Sequence, residues 1–446
     1  MAGTSRFRVA RWIARVASAV LCASLAHGAA ISAGAHAPAA LSSFGQVGDG
    51  SWLVADARTH RAFAPDPNGT VRVLDTRTGH LVRTVRVTSA ATPPETPAGV
   101  TDVTPVVDEL GGRVVVAVYG PGHGQSGVAV LDATTGRPLR PLIALPIPVS
   151  LALDGATGRL FVGHGDAKRG TGSVSTVDPR TGHLLRRVDV GHYPGALIAD
   201  GPGGHVFAGV LTPTVGPHAP ATSQIPTLFY GGVVMLDART GAVMRTVVSG
   251  PSVLGGPDRR GLVFAFDVGK PFATPQEDMV SIDGATGRVR GIVRFGSMES
   301  APSVDGVAVD DRTGHLFVAT GGEDGSDGTL TTIDVRAGRV LHAERIGAVP
   351  TAVALDARTG RVFVAYWDQV DARHYGDEGV IGAYGAGAIA VFDARTGRRI
   401  RTLTVDPGPN ALALDAGARR LLVISQGAEG SGGFTAEPDA VASIAI

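Results

Sequence analysis

The carboxylates and imidazoles that could do chemistry gather in a few glycine-rich stretches. Gly322-Glu-Asp-Gly-Ser-Asp-Gly328 presents Glu323, Asp324 and Asp327, oxygen ligands of the kind that Ca²⁺ or another hard divalent ion takes. Asp368, Asp371, His374, Asp377 and Glu378 form a second cluster, between two apolar runs. Carboxylates brought together from several parts of a chain can hold a divalent ion that activates water. The plain reading of both clusters is a solvated acidic loop. Other chemistries lack their residues. There is no His-Glu-x-x-His and no Gly-x-Ser-x-Gly, and Gly120-Pro-Gly-His-Gly124 opens no helix that could receive a phosphate. The one cysteine is Cys22, so Cys-ligated zinc, iron–sulfur clusters and C-x-x-C-H haem attachment have no ligands.

The elements that must position these residues are repeats. The phrase D-x-x-T-G recurs in two alternating series. One follows strands of the V-x-V-L-D type: Asp75, Asp132, Asp178, Asp237, Asp283, Asp334 and Asp393. The other follows strands of the A-V-A-L-D type: Asp56, Asp108, Asp154, Asp200, Asp258, Asp310, Asp356 and Asp415. Each phrase carries its own turn chemistry. The Asp carboxylate accepts from N–H groups two or three residues on, Thr supports the same bend, and Gly takes the left-handed position. The flanking runs alternate or are β-branched, as strands require. One unit is therefore strand A, turn, strand B, loop, strand C, turn, strand D, loop. Four antiparallel strands per unit make the blade of an all-β propeller, stacked radially with its neighbours. Phe63, Phe161, Phe207, Phe264, Phe317 and Phe363 recur at one place in the B strands, which predicts core between blades. Eight A–B turns against seven C–D turns favour eight blades, with seven plus an accessory segment as the alternative. A strand near residues 42–47 is expected to supply the missing outer strand and close the ring.

The sequence resembles the YVTN-type β-propeller repeats of extracellular and periplasmic bacterial and archaeal proteins. The residues that carry the resemblance are Val190-Gly-His-Tyr-Pro194, Ile346-Gly-Ala-Val-Pro-Thr-Ala-Val-Ala-Leu-Asp356, the Phe-Val-Ala B strands and the D-x-x-T-G turns. It extends over residues 50–446 and implies the propeller fold, while such propellers serve many functions. Quinoprotein dehydrogenases share a propeller with similar turns but repeat a Trp after them. Here only Trp52 and Trp367 remain beyond the N-terminal segment, so no cofactor is expected other than a divalent ion at the acidic clusters.

The N-terminal segment reads as an export signal. Arg6, Arg8, Arg11 and Arg15 precede the uncharged, mostly apolar run Val16–Ala26, which is too short to span a bilayer. Residues 1–37 are assigned to the signal, cleaved between about 28 and 37, residues 38–49 to a ring-closing segment, and residues 50–446 to one propeller domain. A secreted or periplasmic protein without a transmembrane helix is expected. Lys+Arg and Asp+Glu both number 40, which argues against nucleic acid as a partner.

Length variation singles out one face. From the A–B Asp to the C–D Asp the spacing is 24 in plain units, as from 108 to 132, and 37 from 200 to 237 and from 356 to 393. These B–C loops and the D–A loops share one end of a propeller, opposite the short turns. Loops on a rigid scaffold carry binding residues disproportionately. Candidate ligand contacts at that end are Tyr119, His123, His164, Asp166, His192, Tyr193, Tyr366, Trp367, Asp368, His374 and Tyr375. By contrast His60, His80, His183 and His315 lie beside the short turns and read as exposed. A binding or scaffold protein for a protein, cell-envelope glycan or small molecule is the first expectation. The alternative is a lactonase-type hydrolase with a metal in the central funnel, which requires carboxylates of at least three blades to converge there.

Overall fold

The computed structural model describes residues 43–45 and 53–446 apart from 67–68, 89–98, 101–102, 120–124, 167–170, 202, 215–227, 251–252, 259, 267–275, 298–302, 322–327, 348, 370–383 and 426–439. Every regular element among the described residues is a β-strand. The third blade is the plainest. Strands Pro148–Asp154, Arg159–Asp166, Thr171–Val177 and Leu184–Asp189 pair in that order, each antiparallel to the next. The same meander makes eight sheets in sequence, spanning 54–86, 99–144, 148–189, 193–250, 253–297, 303–345, 349–405 and 409–445. The chain is thus an eight-bladed β-propeller, as the turn arithmetic favoured. In the second blade the inner strand is split into Gly99–Val100 and Val106–Asp108, both paired with Arg113–Tyr119. The eighth blade has three strands among the described residues: Pro409–Asp415, Arg420–Ser425 and Ala440–Ala445.

Period-2 alternation cannot bury a blade on both faces, so the blades bury one another. The six repeated B-strand phenylalanines are all at most 1% exposed. Phe63 packs with Val107 and Val114 of blade 2, Phe161 with Leu197 and Val206 of blade 4, and Phe363 with Leu412 and Leu421 of blade 8. Fully burying each ring contributes about 2–3 kcal/mol, and the repeat spreads that contribution around the ring. The outermost strands pack on one side only: Leu184–Asp189 is exposed along nearly its whole length.

The ring closes between blades 8 and 1. Leu53, Ala55, Ala62 and Leu74 pack on Ala411, Ala413, Leu422 and Ile424. Thr76 Oγ1 donates to Asp415 Oδ2, and His60 Nδ1 meets the same oxygen at 2.7 Å. His60 therefore pins the seam, with its φ of 54° at the position where sister turns place Gly. His315 does similar work between blades 6 and 7, its Nδ1 lying 2.9 Å from the Ala394 carbonyl. The reading of these two histidines as exposed turn residues is thus corrected; His80 and His183 are exposed. The short strand Ser43–Gly45 pairs with Val349–Asp356, the innermost strand of blade 7, with Phe44 opposite Val353. It lies inside the ring rather than on the outer edge of blade 8, because the free hydrogen-bonding edge it meets is an inner one.

Candidate functional site

The two ends of the ring differ. At the turn end the A–B aspartates are buried and the C–D aspartates half-buried. Asp356 is typical of the first series. It accepts from the backbone N–H of Arg358 and Thr359, and Thr359 Oγ1 donates to it at 2.7 Å. In the second series the Thr240 hydroxyl beside Asp237 holds that carboxyl below its usual range. Thr286 and Arg290 hold Asp283 down to about 2. Hydrogen bonding to the charged form favours it.

Asp200 breaks this pattern. It is fully buried, and among the described residues neither carboxylate oxygen has a hydrogen-bond partner of good geometry. Its turn reads Asp-Gly-Pro-Gly-Gly204, so Pro202 offers no N–H and Gly203 stands where sister turns have Thr. The Gly203 N–H is spent on the Asp200 main-chain carbonyl. The residue of blade 5 that faces it is Gly284, where a Cβ would come within 2.2 Å of Oδ2. At the ring-closing seam the corresponding residue is Thr76, whose hydroxyl reaches Asp415. Burial pushes Asp200 up to about 7; the nearby Gly203 N–H opposes the rise, and the charges of Asp283, Asp154 and Asp258 add to it.

At the loop end, blades 3 and 4 bring predicted residues together. His164 and Asp166 end strand Arg159–Asp166, while His192 precedes strand Tyr193–Ala199. The Tyr193 ring lies against Gly165, where a Cβ would come within 2.3 Å of it. Tyr193 and His192 are half-buried. His164 is 2% exposed, with Nε2 at 2.9 Å from Ser175 Oγ. Burial, followed by the nearby Arg187 charge, pushes its imidazole down to about 4, so it is neutral near pH 7.

Blade 7 supplies the second group, on strand Arg361–Gln369. Tyr366 is 8% exposed, packs with Ile346 and Phe392, and covers Gly347. Its ring is core between blades 6 and 7. Trp367, opposite Val349, is half-buried, and Asp368 is exposed. Tyr119 ends its strand half-buried, paired with Gly99. His123, His374, Tyr375, Glu323, Asp324 and Asp327 lie outside the described residues. Among the described residues no group of three or more His, Cys, Asp or Glu could hold a metal ion. The convergence of carboxylates that a lactonase-type centre requires is not found among them.

Sequence reasoning missed a polar arc in the innermost strands. Asp305, Thr351 and Asn410 stand five residues before the A–B Asp in blades 6, 7 and 8. Each sits at a register shift, where a bulge re-aims the side chain. Thr351 Oγ1 donates to the Pro409 carbonyl at 2.6 Å. Asn410 is 4% exposed with both amide atoms unpartnered. The signal available in the sequence was the recurring Pro-polar pair, Pro350-Thr351 and Pro409-Asn410.

With this geometry in hand, the comparisons agree with the propeller fold. Residues 230–425 match the family PQQ_2, described as outer membrane protein assembly factor BamB. No significant match to a curated protein sequence was found. Among solved structures, the quinohemoprotein alcohol dehydrogenase from Comamonas testosteroni aligns with TM-score 0.56 and 13% identity, over 86% of this chain and 72% of that one. A europium-containing methanol dehydrogenase aligns with TM-score 0.53 and 12% identity, over 86% and 82%. The C-terminal WD40 domain of Sif2 aligns with TM-score 0.55 and 12% identity, over 83% and 91%. At such identities the likeness is one of fold. It nonetheless corrects the expectation that this chain takes no cofactor beyond a divalent ion, because the same architecture carries quinohemoprotein and europium-containing dehydrogenases. The described residues do not themselves build a metal centre of that kind. No helix among the described residues is long and apolar enough to cross a membrane.

Proposed function

We propose that this chain is an exported propeller of the YVTN-type repeat class that binds a partner through the loop end of its ring, as a recognition or assembly scaffold. The observation that carries this reading is the asymmetry between the ends. The turns are short and alike, while the connections 215–227 and 370–383 lengthen two blades at the opposite end. Those blades are the fourth and seventh of eight, so the strand ends that carry these connections belong to well-separated parts of the ring. Tyr193 on one and Trp367 with Asp368 on the other give an aromatic and polar rim, the chemistry that anchors proteins and sugars. Partners of this kind are a protein, a cell-envelope glycan or a small molecule. The match to a family described as an outer membrane assembly factor supports an envelope setting.

The test is to replace residues 370–383 by a short Gly-Ser link. Loop length changes closure entropy only slowly, so the thermal midpoint should stay nearly unchanged. Capture of the partner identified with the intact chain, by pull-down from envelope extract or on a glycan array, should be lost. A shortened variant that folds and binds with full affinity would place the site elsewhere.

A further inference from the structure

The opposite end of the ring has a surface that formal net charge hides. The turn aspartates are buried or half-buried, and most of them accept from backbone N–H groups. The arginines beside them are the outer layer. Each of the eight blades places at least one exposed arginine on its turns, among them Arg77, Arg137, Arg239, Arg288, Arg336 and Arg395. The cause is the turn phrase itself. The Asp folds inward to close the turn, and the Arg two residues on (Arg77, Arg239, Arg336, Arg395) or just after the turn Gly (Arg137, Arg288) is left outside.

A ring of aliphatic side chains borders the arginines. The outermost strands begin immediately after the C–D turns, and their first or second residues are exposed: Leu81 at 55%, Leu184 at 53%, Met244 at 52%, Val289 at 45% and Ile400 at 48%. These belong to blades 1, 3, 4, 5 and 7, so the border follows the rim around the ring. Short turns leave this end without the long connections of the loop end. A soluble polymer recognised by charge would call for a track across the surface. Guanidinium groups distributed around one end of the ring, bordered by exposed aliphatic side chains, instead complement an array of anions with apolar material beneath. That is the chemistry of a membrane surface rich in anionic phospholipid.

We propose that the turn end of the propeller docks on an anionic lipid bilayer surface. Arginines supply the attraction to phosphate headgroups, and the rim aliphatics enter the headgroup boundary. The loop end then points away from the membrane. This inference stands on the turn end alone and does not depend on what the loop end binds.

Sedimentation of the full chain with vesicles tests it. Vesicles of phosphatidylcholine with about a third phosphatidylglycerol should bind the protein, and pure phosphatidylcholine vesicles should bind it far less. Raising ionic strength to about 0.5 M should weaken binding to the anionic vesicles strongly. Each arginine near an anionic surface is worth about fivefold in partitioning. A variant with Gln at positions 77, 137, 239, 288, 336 and 395 should therefore lose at least about 100-fold while its thermal midpoint holds. The variant Leu81→Ser with Leu184→Ser and Met244→Ser should lose the part of binding that survives salt. Attachment through the apolar run Val16–Ala26 would be equal on both vesicle types and unchanged in the variants, and that result overturns the proposal. So does equal binding to soluble polyphosphate and to anionic vesicles, or full binding by the six-Gln variant.

Discussion

Replacing Asp200 by asparagine removes a buried carboxyl that lacks the side-chain donor found in sister turns. The side chain is fully buried, and the residues around it that would supply hydrogen bonds in sister turns are Pro202, Gly203 and Gly284. Its folded-state pKa is pushed from 3.8 up to about 7. A raised carboxyl favours the protonated form in the folded state. Its contribution is therefore fully present below about pH 4, fades as pH rises toward 7, and is gone above that. At 1.36 kcal/mol per unit, the ionised carboxyl costs the fold up to roughly 4 kcal/mol relative to the neutral one. Unfolding entropy of about 2.1 cal/mol/K per residue over roughly 400 residues converts 1 kcal/mol into about 1 °C. Asp200→Asn should thus lie within about 1 °C of the parent's thermal midpoint near pH 4.5 and exceed it by about 4–5 °C at pH 8. Taking the difference between the two proteins across pH 4–8 cancels the groups that do not interact with Asp200, the histidines among them, and leaves its coupling to Asp154, Asp258 and Asp283 in the measured difference. A flat difference, or a variant less stable at pH 8, would refute the reasoning and mean that a donor or ion reaches Asp200 in solution.

Other expectations concern the turns, the seam and the N-terminus. Gly158→Ala adds a Cβ into open space at φ 67°, so calorimetry should show only the left-handed cost of about 1 kcal/mol. Gly136→Ala has a similar φ but sets the Cβ within 2.5 Å of buried Val73, so it should cost distinctly more; equal losses would contradict the blade packing. Thr76→Val withdraws a donor from Asp415 at the ring-closing seam and should lower stability by about 1–3 kcal/mol in denaturant unfolding. Protein recovered outside the cytoplasm should lack residues before about 38, and an N-terminal sequence starting at Met1 would remove the export argument.

Local chemistry wrote much of this protein into its sequence. The D-x-x-T-G phrases specify each turn through contacts three or four residues long, such as Gly360 N–H to Asp356 O. The alternation of the strands and the recurring phenylalanines follow from a period of two and a repeat, which need no knowledge of distant residues. Charge accounting was less reliable: a formal net charge of zero is compatible with an end whose carboxylates are turned inward and whose arginines are turned out. Tertiary structure decided whatever depends on residues far apart. His60 reads as a turn residue until the ring closes and brings it to Asp415, 355 positions away. His164 and Tyr366 read as surface groups until neighbouring blades cover them. Asp200 reads like its seven counterparts, apart from an odd turn, until blade 5 sets Gly284 against it. The strand Ser43–Gly45 finds the inner edge of blade 7, a choice no periodicity could make, because that edge exists only once the ring is built.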